Sequence, residues 1–304
     1  MKVVLLAGGT GGARLATGLR DELPPGELTV VTNPGDDIDA WGLRVCPDAD
    51  AVLFRLAGIF NDRSGFGIVD DTATVLGQLQ ALGEDTWFHL GDRDLAFHVL
   101  RSHWLRQGAR LTDVMLELAR RLRVATRVLP ATDDEVRTHF HTDAGRLAFQ
   151  DYFVRLRLQP ALQAIELTGI ENARPTPEVL GALAAAELVV IGPSNPLISI
   201  EPILRVLGEA LPVQRTVAIT PVVGGRALKG PTVEMLSAIR GEATPEAVAR
   251  GYRTTARWFV LDAIDADRRA AVEQTGCQVL VMDTVMGDGD GSRRLARELL
   301  GHFR

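Results

Sequence analysis

Lysine is almost absent from this chain of 304 residues, in which only Lys2 and Lys229 occur among 33 lysines and arginines. Arginine therefore supplies nearly all of the positive charge. A phosphate-binding loop of the Gly-Lys-Ser/Thr type needs a lysine at a fixed position, and the sequence contains no such loop. Any phosphate clamp in this protein must use arginine, backbone amides or a metal ion.

Cysteine is scarce as well, since only Cys46 and Cys277 occur and no ligand-type pair stands beside either of them. This scarcity predicts a reduced, cytoplasmic protein without a thiol-bound metal. The segment KVVLLA enters a strand directly, so we expect no signal peptide. The apolar runs are too short to span a bilayer, and the net charge of −6 argues against general binding to nucleic acid.

The order of apolar and amphipathic segments predicts an α/β, Rossmann-like fold. Runs of β-branched residues alternate with segments of helical period, which is typical of a mostly parallel sheet with flanking helices. We predict a single domain over residues 1–304, with a small β-insertion at about 135–170. The predicted strands are 2–7, 28–32, 124–129, 187–192, 215–220, 257–262 and 278–283. The predicted helices are 12–22, 72–82, 94–107, 112–122, 176–186, 199–210, 245–256, 266–275 and 292–302, with Thr112, Thr176 and Thr244 as capping residues.

The glycine-rich segment GGTGGAR, residues 8–14, separates the first strand from the first helix. Such a turn presents the free backbone N–H groups of a helix N-terminus to an anion. The pattern departs from the dinucleotide fingerprint G-x-G-x-x-G, and the second strand ends in TVVTNPG without the expected acid. The segment therefore predicts a phosphate-binding loop, and a plain tight turn is the alternative.

Residues 33–71 interrupt the strand–helix rhythm with a long segment rich in Gly, Asp, Asn and Pro. Its apolar anchors favour an ordered wall of an active site. Two or more of its carboxylates beside bound phosphates could hold Mg²⁺. For Asp36 and Asp37 we prefer this function to a plain turn, whereas Asp70 and Asp71 fit a helix N-cap equally well.

Two later segments place polar groups at the junctions between strands and helices. LGDRDLAFH contains Asp92, Arg93 and Asp94, whose charges either face a cleft or form an ion-paired cap. IGPSNPLISIEPIL offers Ser194 and Asn195 on a loop that prolines stiffen, and such loops are commonly binding sites. The segment at 288–292 imitates a calcium loop, but we interpret it as the start of a helix because the required glycine is missing.

These motifs together resemble the CofD/FbiA family of transferases in coenzyme F(420) biosynthesis. The resemblance runs along nearly the whole chain, through LAGGTGGARLATGL, NPGDDIDAWGLRVCPDAD, WFHLGDRDLAFHVLRS, LPATDDEVRT, FQDYFVR, IGPSNPLISIEPIL and TPVVGGRALKGP. LGDRDLA and GPSNP are its most specific parts. Pro34, before the GDD sequence, departs from the family pattern but leaves both acids in place.

The resemblance implies a Rossmann-like homodimer that depends on magnesium. The implied donor is a guanosine diphospho compound that carries 2-phospho-L-lactate or its enolpyruvyl form. The implied acceptor is the 8-hydroxy-5-deazaflavin FO, whose terminal ribityl hydroxyl attacks the donor while GMP leaves. Phosphoryl-type transfer of this kind requires positioning and charge neutralisation more than a strong nucleophile.

The resemblance also suggests roles for individual residues. Asp36 and Asp37 would bind Mg²⁺, and Asp37 would also act in catalysis with Asp92 and Arg93. The substrate-binding candidates are Gly9, Thr10, Gly11, Gly12, Asp48, Asp50, Asp71, Ser194 and Asn195. Which aspartate acts as the general base stays open.

Two other functions compete with this one. A CofD-like nucleotide-sugar-binding regulator without transferase activity would share the glycine-rich loop, but the LGDRD sequence favours the enzyme. An NAD-dependent dehydrogenase is disfavoured by the imperfect fingerprint.

Overall fold

A computed structural model describes residues 1–227, 230–287 and 289–304. Lys229, in the motif TPVVGGRALKGP, and Asp288, in the imitated calcium loop, lie outside the described residues. Within the described part of the chain, no helix is long and apolar enough to cross a membrane.

Among the described residues, fourteen strands form one large sheet and three small ones. They are β1 (Val3–Ala7), β2 (Leu28–Thr32), β3 (Ile38–Ala40), β4 (Leu43–Val45), β5 (Arg127–Pro130), β6 (Arg137–Thr142), β7 (Gly145–Ala148), β8 (Leu162–Thr168), β9 (Leu188–Ile191), β10 (Thr216–Ile219), β11 (Val222–Val223), β12 (Arg226–Ala227), β13 (Trp258–Asp262) and β14 (Gln278–Met282).

In the part of the chain that the structure describes, eleven α-helices connect and cover these strands. They are α1 (Gly9–Glu22), α2 (Pro47–Leu56), α3 (Thr74–Ala81), α4 (Asp92–Arg106), α5 (Leu111–Arg121), α6 (Pro177–Ala185), α7 (Glu201–Leu207), α8 (Thr232–Arg240), α9 (Pro245–Tyr252), α10 (Arg269–Glu273) and α11 (Gly289–Phe303).

The central sheet has seven parallel strands in the order β14-β13-β10-β9-β1-β2-β5. β1 and β2 are buried along their whole length, as expected for strands covered on both faces. The chain runs outward from β1 in one direction and from β9 in the other. The order of the strands therefore reverses between β1 and β9, and ligands of such sheets bind at this reversal.

Two hydrophobic layers enclose the sheet. Val4 and Leu6 of β1 face a layer formed mainly by α6 to α10 and the β-insertion, whereas Val3, Leu5 and Ala7 face α1, α2, α5 and α11. The alternation of side chains along a strand sends neighbouring residues to opposite layers. This arrangement confirms the predicted α/β fold with flanking helices.

The predicted β-insertion is confirmed as an antiparallel sheet with the order β7-β6-β8. All seven predicted central strands are present, although the one predicted at 124–129 begins only at Arg127. Thr176 and Thr244 cap α6 and α9 as predicted. Thr112 is not a cap, because its own amide donates to Asp133 and α5 begins one residue earlier. The division of the chain into one domain stays a prediction.

Several predicted helices differ in their bounds or their type. The segment predicted as a helix at 199–210 is a π-helical turn, Pro196–Ile200, followed by α7 and a short 3₁₀ turn. The helix predicted at 266–275 begins as the 3₁₀ segment Ala263–Arg268. The helices α2 and α8 were not predicted. The segment 33–71 is therefore less irregular than predicted, since it contains a hairpin and a helix of ten residues.

Candidate active site

The glycine loop lies where the strand order of the central sheet reverses. Gly8 follows β1 with an extended backbone, and α1 begins at Gly9 without a capping side chain of its own. The loop after β9 lies beside it, because β1 and β9 are paired in the sheet. The first N–H groups of α1 have no partners within the helix, so this loop is suited to bind an anion.

Close packing explains why glycine is needed at two positions of the loop. A Cβ on Gly11 would lie 2.4 Å from the carbonyl oxygen of Pro193. A Cβ on Gly12 would lie 2.7 Å from Cβ and 2.9 Å from Cα of Ala7. Glycine here brings the helix against β1 and the β9 loop, which positions the helix N-terminus at the cleft.

Replacing Gly12 with alanine is expected to destabilise the protein by about 1–3 kcal/mol, because the new methyl group overpacks against backbone. Displacement of the loop should also lower turnover by at least about tenfold. Thermal unfolding and a turnover assay measure the two effects. Gly181→Ala is the matched control, since this glycine lies inside α6 with nothing within 4 Å of the added Cβ. That variant should keep full activity and gain about 0.5–1 kcal/mol, and equal loss in both variants would contradict the packing argument.

Asp48 stands in the first turn of α2 and caps the neighbouring helix. Its Oδ1 accepts a hydrogen bond from the backbone N–H of Gly9, and its Oδ2 accepts one from the Asn33 amide at 2.9 Å. Burial raises the pKa of Asp48 to about 6. The structure thus brings Asp48 directly to the glycine loop, although its role in binding substrate stays a prediction.

Asp36 and Asp37 are adjacent in the chain but face different surroundings. Asp36 is buried, and its Oδ1 has no hydrogen-bond partner. Burial, then the carboxylates of Asp48 and Asp37, raise its pKa well above the ordinary range. Asp37 is paired with Arg44 at 3.0 Å and accepts from the thiol of Cys46 at 3.2 Å. Only Asp36 therefore lines the cleft, and the structure separates the pair expected to hold a metal ion.

The side chains that could hold a magnesium ion are Asp36, whose Oδ1 has no partner, and Asp48 in the same cavity. No group of three or more His, Cys, Asp or Glu side chains among the described residues has metal-binding geometry. Magnesium commonly binds through one or two carboxylates together with substrate phosphates and water. Asp36 and Asp48 supply that number of carboxylates, so the residues present fit the ion when a phosphorylated substrate completes its shell.

Ser194 and Asn195 lie on the β9 loop that faces the glycine loop. The Ser194 hydroxyl donates to the carbonyl oxygen of Gly8, and the Asn195 side chain accepts from the amide of Leu197 at 2.9 Å. Asn195 thereby caps the π-helical turn. Both side chains hold the two loops in place while they line the cleft.

Asp71 and Asp92 cap each other's helices rather than lining the cleft. The carboxylate of Asp71 accepts the amides of Arg93 and Asp94 at the start of α4, at 2.8 and 2.9 Å. The carboxylate of Asp92 accepts the amides of Thr74 and Val75 at the start of α3, both at 2.9 Å. The hydroxyl of Thr72 and these amides lower the pKa of Asp92 to about 2. Asp71 is thus a helix cap, but of α4 rather than of the helix that directly follows it, and Asp92 caps α3.

Arg93, expected to act in catalysis, is exposed and donates to the carbonyl oxygen of Val69 at 2.8 Å. It lines neither the cavity at the glycine loop nor the cavity beside Phe54 and Phe60. The catalytic roles predicted for Asp92 and Arg93 gain no support from their surroundings in this structure.

Two cavities of different chemistry meet at Gly9, Thr10 and Asp48. The glycine-loop cavity, of about 500 Å³, is lined by the loop, Asp36, Ser194 and Asn195. The aromatic cavity, of about 230 Å³, lies on the other side of Asp48. Its wall is mostly apolar and includes Phe54, Phe60, Phe66, Phe88 and His89.

Several lining residues were missed by the sequence analysis. Arg14, one turn into α1, lines the glycine-loop cavity and donates to the carbonyl oxygen of Gly287. Phe149 and Phe153 line the same cavity, with their rings stacked at 4.7 Å and 13°. Arg14 is the last residue of the motif GGTGGAR, so the sequence could have indicated its position beside the loop. Phe149 and Phe153 come from the distant β-insertion, and no local pattern places them here.

Asp50 lines the aromatic cavity, and a buried arginine balances its charge in an ion pair. Arg101, fully buried, donates to both carboxylate oxygens of Asp50, with the Nη1–Oδ2 distance at 3.0 Å. The two side chains come from α4 and α2, which are far apart in sequence. This pair joins the two helices beneath the cavity.

Comparison with known proteins identifies the family. The family model for the 2-phospho-L-lactate transferase CofD matches residues 3–289. The chain belongs to the CofD family. It is 40% identical over 314 residues to a phosphoenolpyruvate transferase from Streptomyces griseus subsp. griseus, covering 99% of this chain and 98% of that protein. It is 35% identical over 303 residues to a 2-phospho-L-lactate transferase from Methanosarcina barkeri, again covering 99% and 98%.

A solved structure supports the fold. A member of the UPF0052 family from Bacillus halodurans superposes with a TM-score of 0.61 at 17% identity, covering 98% of each chain. Membership of the CofD family makes this protein a transferase of coenzyme F(420) biosynthesis. The predicted resemblance is thereby confirmed.

Proposed function

We propose that this transferase moves a 2-phospholactyl or enolpyruvyl-phosphate group from a guanosine diphospho donor to FO. The terminal ribityl hydroxyl of FO would attack the outer phosphorus, and GMP would leave. The observation that carries the proposal is the meeting of two unlike cavities at Gly9, Thr10 and Asp48. One cavity suits a phosphorylated donor and the other suits an aromatic acceptor.

The glycine-loop cavity would bind the donor. The N–H groups of α1 that follow Gly9 would donate to the diphosphate, and the guanidinium of Arg14 would offset its charge. The stacked rings of Phe149 and Phe153 offer an apolar surface for the guanine base. Ser194 and Asn195 would contact the nucleoside or a phosphate at the rim.

Magnesium would neutralise the diphosphate as charge moves to the leaving GMP. Asp36 would be its first protein ligand, because its Oδ1 is buried without a partner. Asp48 lines the same cavity and would share in holding the ion or take the proton of the attacking hydroxyl. Asp37 stays paired with Arg44. Its role would be indirect, because this ion pair would hold the turn that places Asp36 at the cavity.

The aromatic cavity would bind the deazaflavin ring. Flat ring systems gain most of their binding free energy by burial against apolar and aromatic side chains. The ribityl chain would then run toward Asp48, where the two cavities join. This placement leaves the acceptor hydroxyl beside the donor's phosphorus, as direct transfer requires.

The regulatory alternative receives less support. The relatives that match along the whole chain at 35–40% identity are named as transferases. The UPF0052 member is only 17% identical, so its likeness shows the fold alone. We also propose that the protein is a homodimer, which light scattering measures directly, and a monomeric mass at micromolar concentration would refute it.

The reaction itself tests the proposed function. Purified protein, FO and Mg²⁺ are incubated with each of the two guanosine donors, and the products are analysed by mass spectrometry. We expect GMP and a phosphodiester of FO, whose mass differs by two hydrogens between the donors. Absence of any FO product with both donors would refute the proposal. Omission of Mg²⁺ should suppress the product, and undiminished turnover in the presence of a chelator would refute the metal requirement.

A further inference from the structure

The aromatic cavity contains a carboxylate that none of the roles above uses. Asp94, in the first turn of α4, lines this cavity and is 7% exposed. Its Oδ1 is enclosed and faces His98, whereas its Oδ2 accepts no hydrogen bond from the described residues. A carboxylate oxygen without a donor is costly in an apolar surrounding, which indicates that a ligand supplies the missing donor to Oδ2.

The backbone of Asp94 is held firmly from outside the cavity. Its amide donates to Asp71 Oδ2 at 2.9 Å, which fixes the start of α4. Oδ2 lies on the cavity side, since a Cβ built on the cavity-lining Gly67 would lie 3.6 Å from it. The carboxylate therefore has a fixed position beside open space.

His98 stands one turn farther along α4 and faces Asp94. Its Nε2 lies 3.1 Å from Asp94 Oδ1, without the alignment of a hydrogen bond. Its Nδ1 lies 3.2 Å from Nη1 of Arg101. Arginine can only donate, so Nδ1 must accept and Nε2 must carry the proton. We assign the neutral tautomer with its N–H toward Asp94 on this ground.

The four side chains form one buried series that leads to the cavity. Asp50 fixes Arg101, Arg101 fixes the tautomer of His98, and His98 turns its N–H toward Asp94. Asp50 has its charge balanced by Arg101, whereas Asp94 turns Oδ1 toward His98 and keeps Oδ2 for a ligand. The aromatic cavity thus ends in a hydrogen-bond acceptor of fixed position.

We propose that Asp94 recognises a ring N–H or hydroxyl donor at the edge of the aromatic acceptor, and that His98 is its positioning residue. This inference rests on the proposed function, in which FO occupies the aromatic cavity. The pyrimidinedione edge of a deazaflavin carries a ring N–H, which is the donor that an isolated carboxylate selects. An aromatic molecule of the same size without such a donor should bind weakly, because it would displace the water that hydrogen-bonds to the Asp94 carboxylate and offer no hydrogen bond in its place.

Binding of FO to Asp94→Asn tests this assignment. FO is titrated by its fluorescence, and GDP is titrated separately as the probe of the glycine-loop cavity. The Kd for FO should rise by between about 10- and 100-fold, the usual effect of losing a hydrogen bond to a charged group. The Kd for GDP should stay within about twofold of wild type. Asp113→Asn, an exposed first-turn aspartate of α5, is the matched control and should bind both as wild type does.

The possible results separate the inference from the proposed function. Unchanged FO binding by Asp94→Asn overturns the assignment of Asp94, and so does a parallel loss of FO and GDP. A wild-type protein that binds GDP but not FO overturns the proposed acceptor and this inference with it. Loss of FO binding alone supports both.

Rescue at His98 separates positioning from structural support. The amide of glutamine can place an N–H near the position of Nε2, whereas leucine cannot. His98→Gln should keep the Kd for FO within about threefold of wild type, and His98→Leu should match Asp94→Asn. Equal FO binding by the two His98 variants overturns the positioning role.

Discussion

Asparagine in place of Asp36 is expected to lower turnover by about 100-fold or more and to make the ligand-free protein more stable. The loss of turnover follows from the loss of the charge that faces the donor. The gain in stability follows from burial, because Asp36 Oδ1 has no partner and other carboxylates lie nearby. Relief of such a cost commonly adds about 0.5–2 kcal/mol at a functional site.

The stability difference should depend on pH in a defined direction. Burial raises the pKa of Asp36 above the ordinary value of 3.8, and that of Asp48 to about 6. The folded state therefore binds protons that the unfolded state has released. The two neutral carboxyl groups add to the free energy of unfolding in full below pH 3.8, and this addition is lost as the pH rises through their raised pKa values. Asparagine does not ionise, so Asp36→Asn should lack the part of this loss that is due to Asp36. The difference in melting temperature between the variant and wild type should therefore grow with pH.

Thermal unfolding between pH 5 and pH 8, with and without Mg²⁺ and GDP, measures these effects. Wild type should gain in melting temperature from the two ligands together, whereas Asp36→Asn should lose the part that depends on Mg²⁺. Asp21→Asn, an exposed variant in α1, is the control and should change neither activity nor stability. A variant at Asp36 that is less stable than wild type throughout this range would contradict the assignment of a buried carboxyl group that is costly to ionise.

Leucine in place of Arg101 should give the largest loss of stability among the substitutions considered. Arg101 is fully buried and balances the charge of Asp50, with a contact of 3.0 Å to its Oδ2. Removal of one partner leaves a buried charge without compensation, at a cost of about 3–5 kcal/mol. For a protein of this size, the melting temperature should fall by roughly 5–10 °C.

The double variant Asp50→Leu with Arg101→Leu distinguishes the ion pair from simple loss of volume. Replacement of both partners by apolar groups should recover most of the lost stability. The exposed Arg120, paired with Glu117 on α5, provides the control, and Arg120→Leu should leave the melting temperature unchanged. If the double variant is as unstable as Arg101→Leu alone, the cost comes from packing rather than from the stranded charge of Asp50.

The central sheet could be predicted because its strands are continuous apolar runs bounded by turn residues. Such runs carry their own signal, since both faces of a parallel strand are buried. The helix α2 was missed because Pro47, Asp48 and Asp50 resemble a loop composition. The same three residues are typical of a helix start, where proline and acids are favoured. Only packing against the sheet decides between the two conformations.

The sequence located the site more accurately than it assigned the individual roles. Asp36 and Asp37 were expected to act together, but the turn after β2 sends one toward the cavity and the other toward Arg44. Asp71 and Asp92 cap helices on opposite sides of a junction, through partners about twenty residues away in sequence. Contacts of this kind depend on tertiary structure, which local patterns do not encode.

Simultaneous binding of the two substrates tests the central claim most directly. The fluorescence of FO is titrated with protein in the absence of GMP and again at saturating GMP. We expect the same Kd for FO within about threefold, because the two ligands occupy separate cavities that meet only at Gly9, Thr10 and Asp48. Competitive displacement of FO by GMP would place both molecules in one cavity and would contradict direct transfer between neighbouring sites.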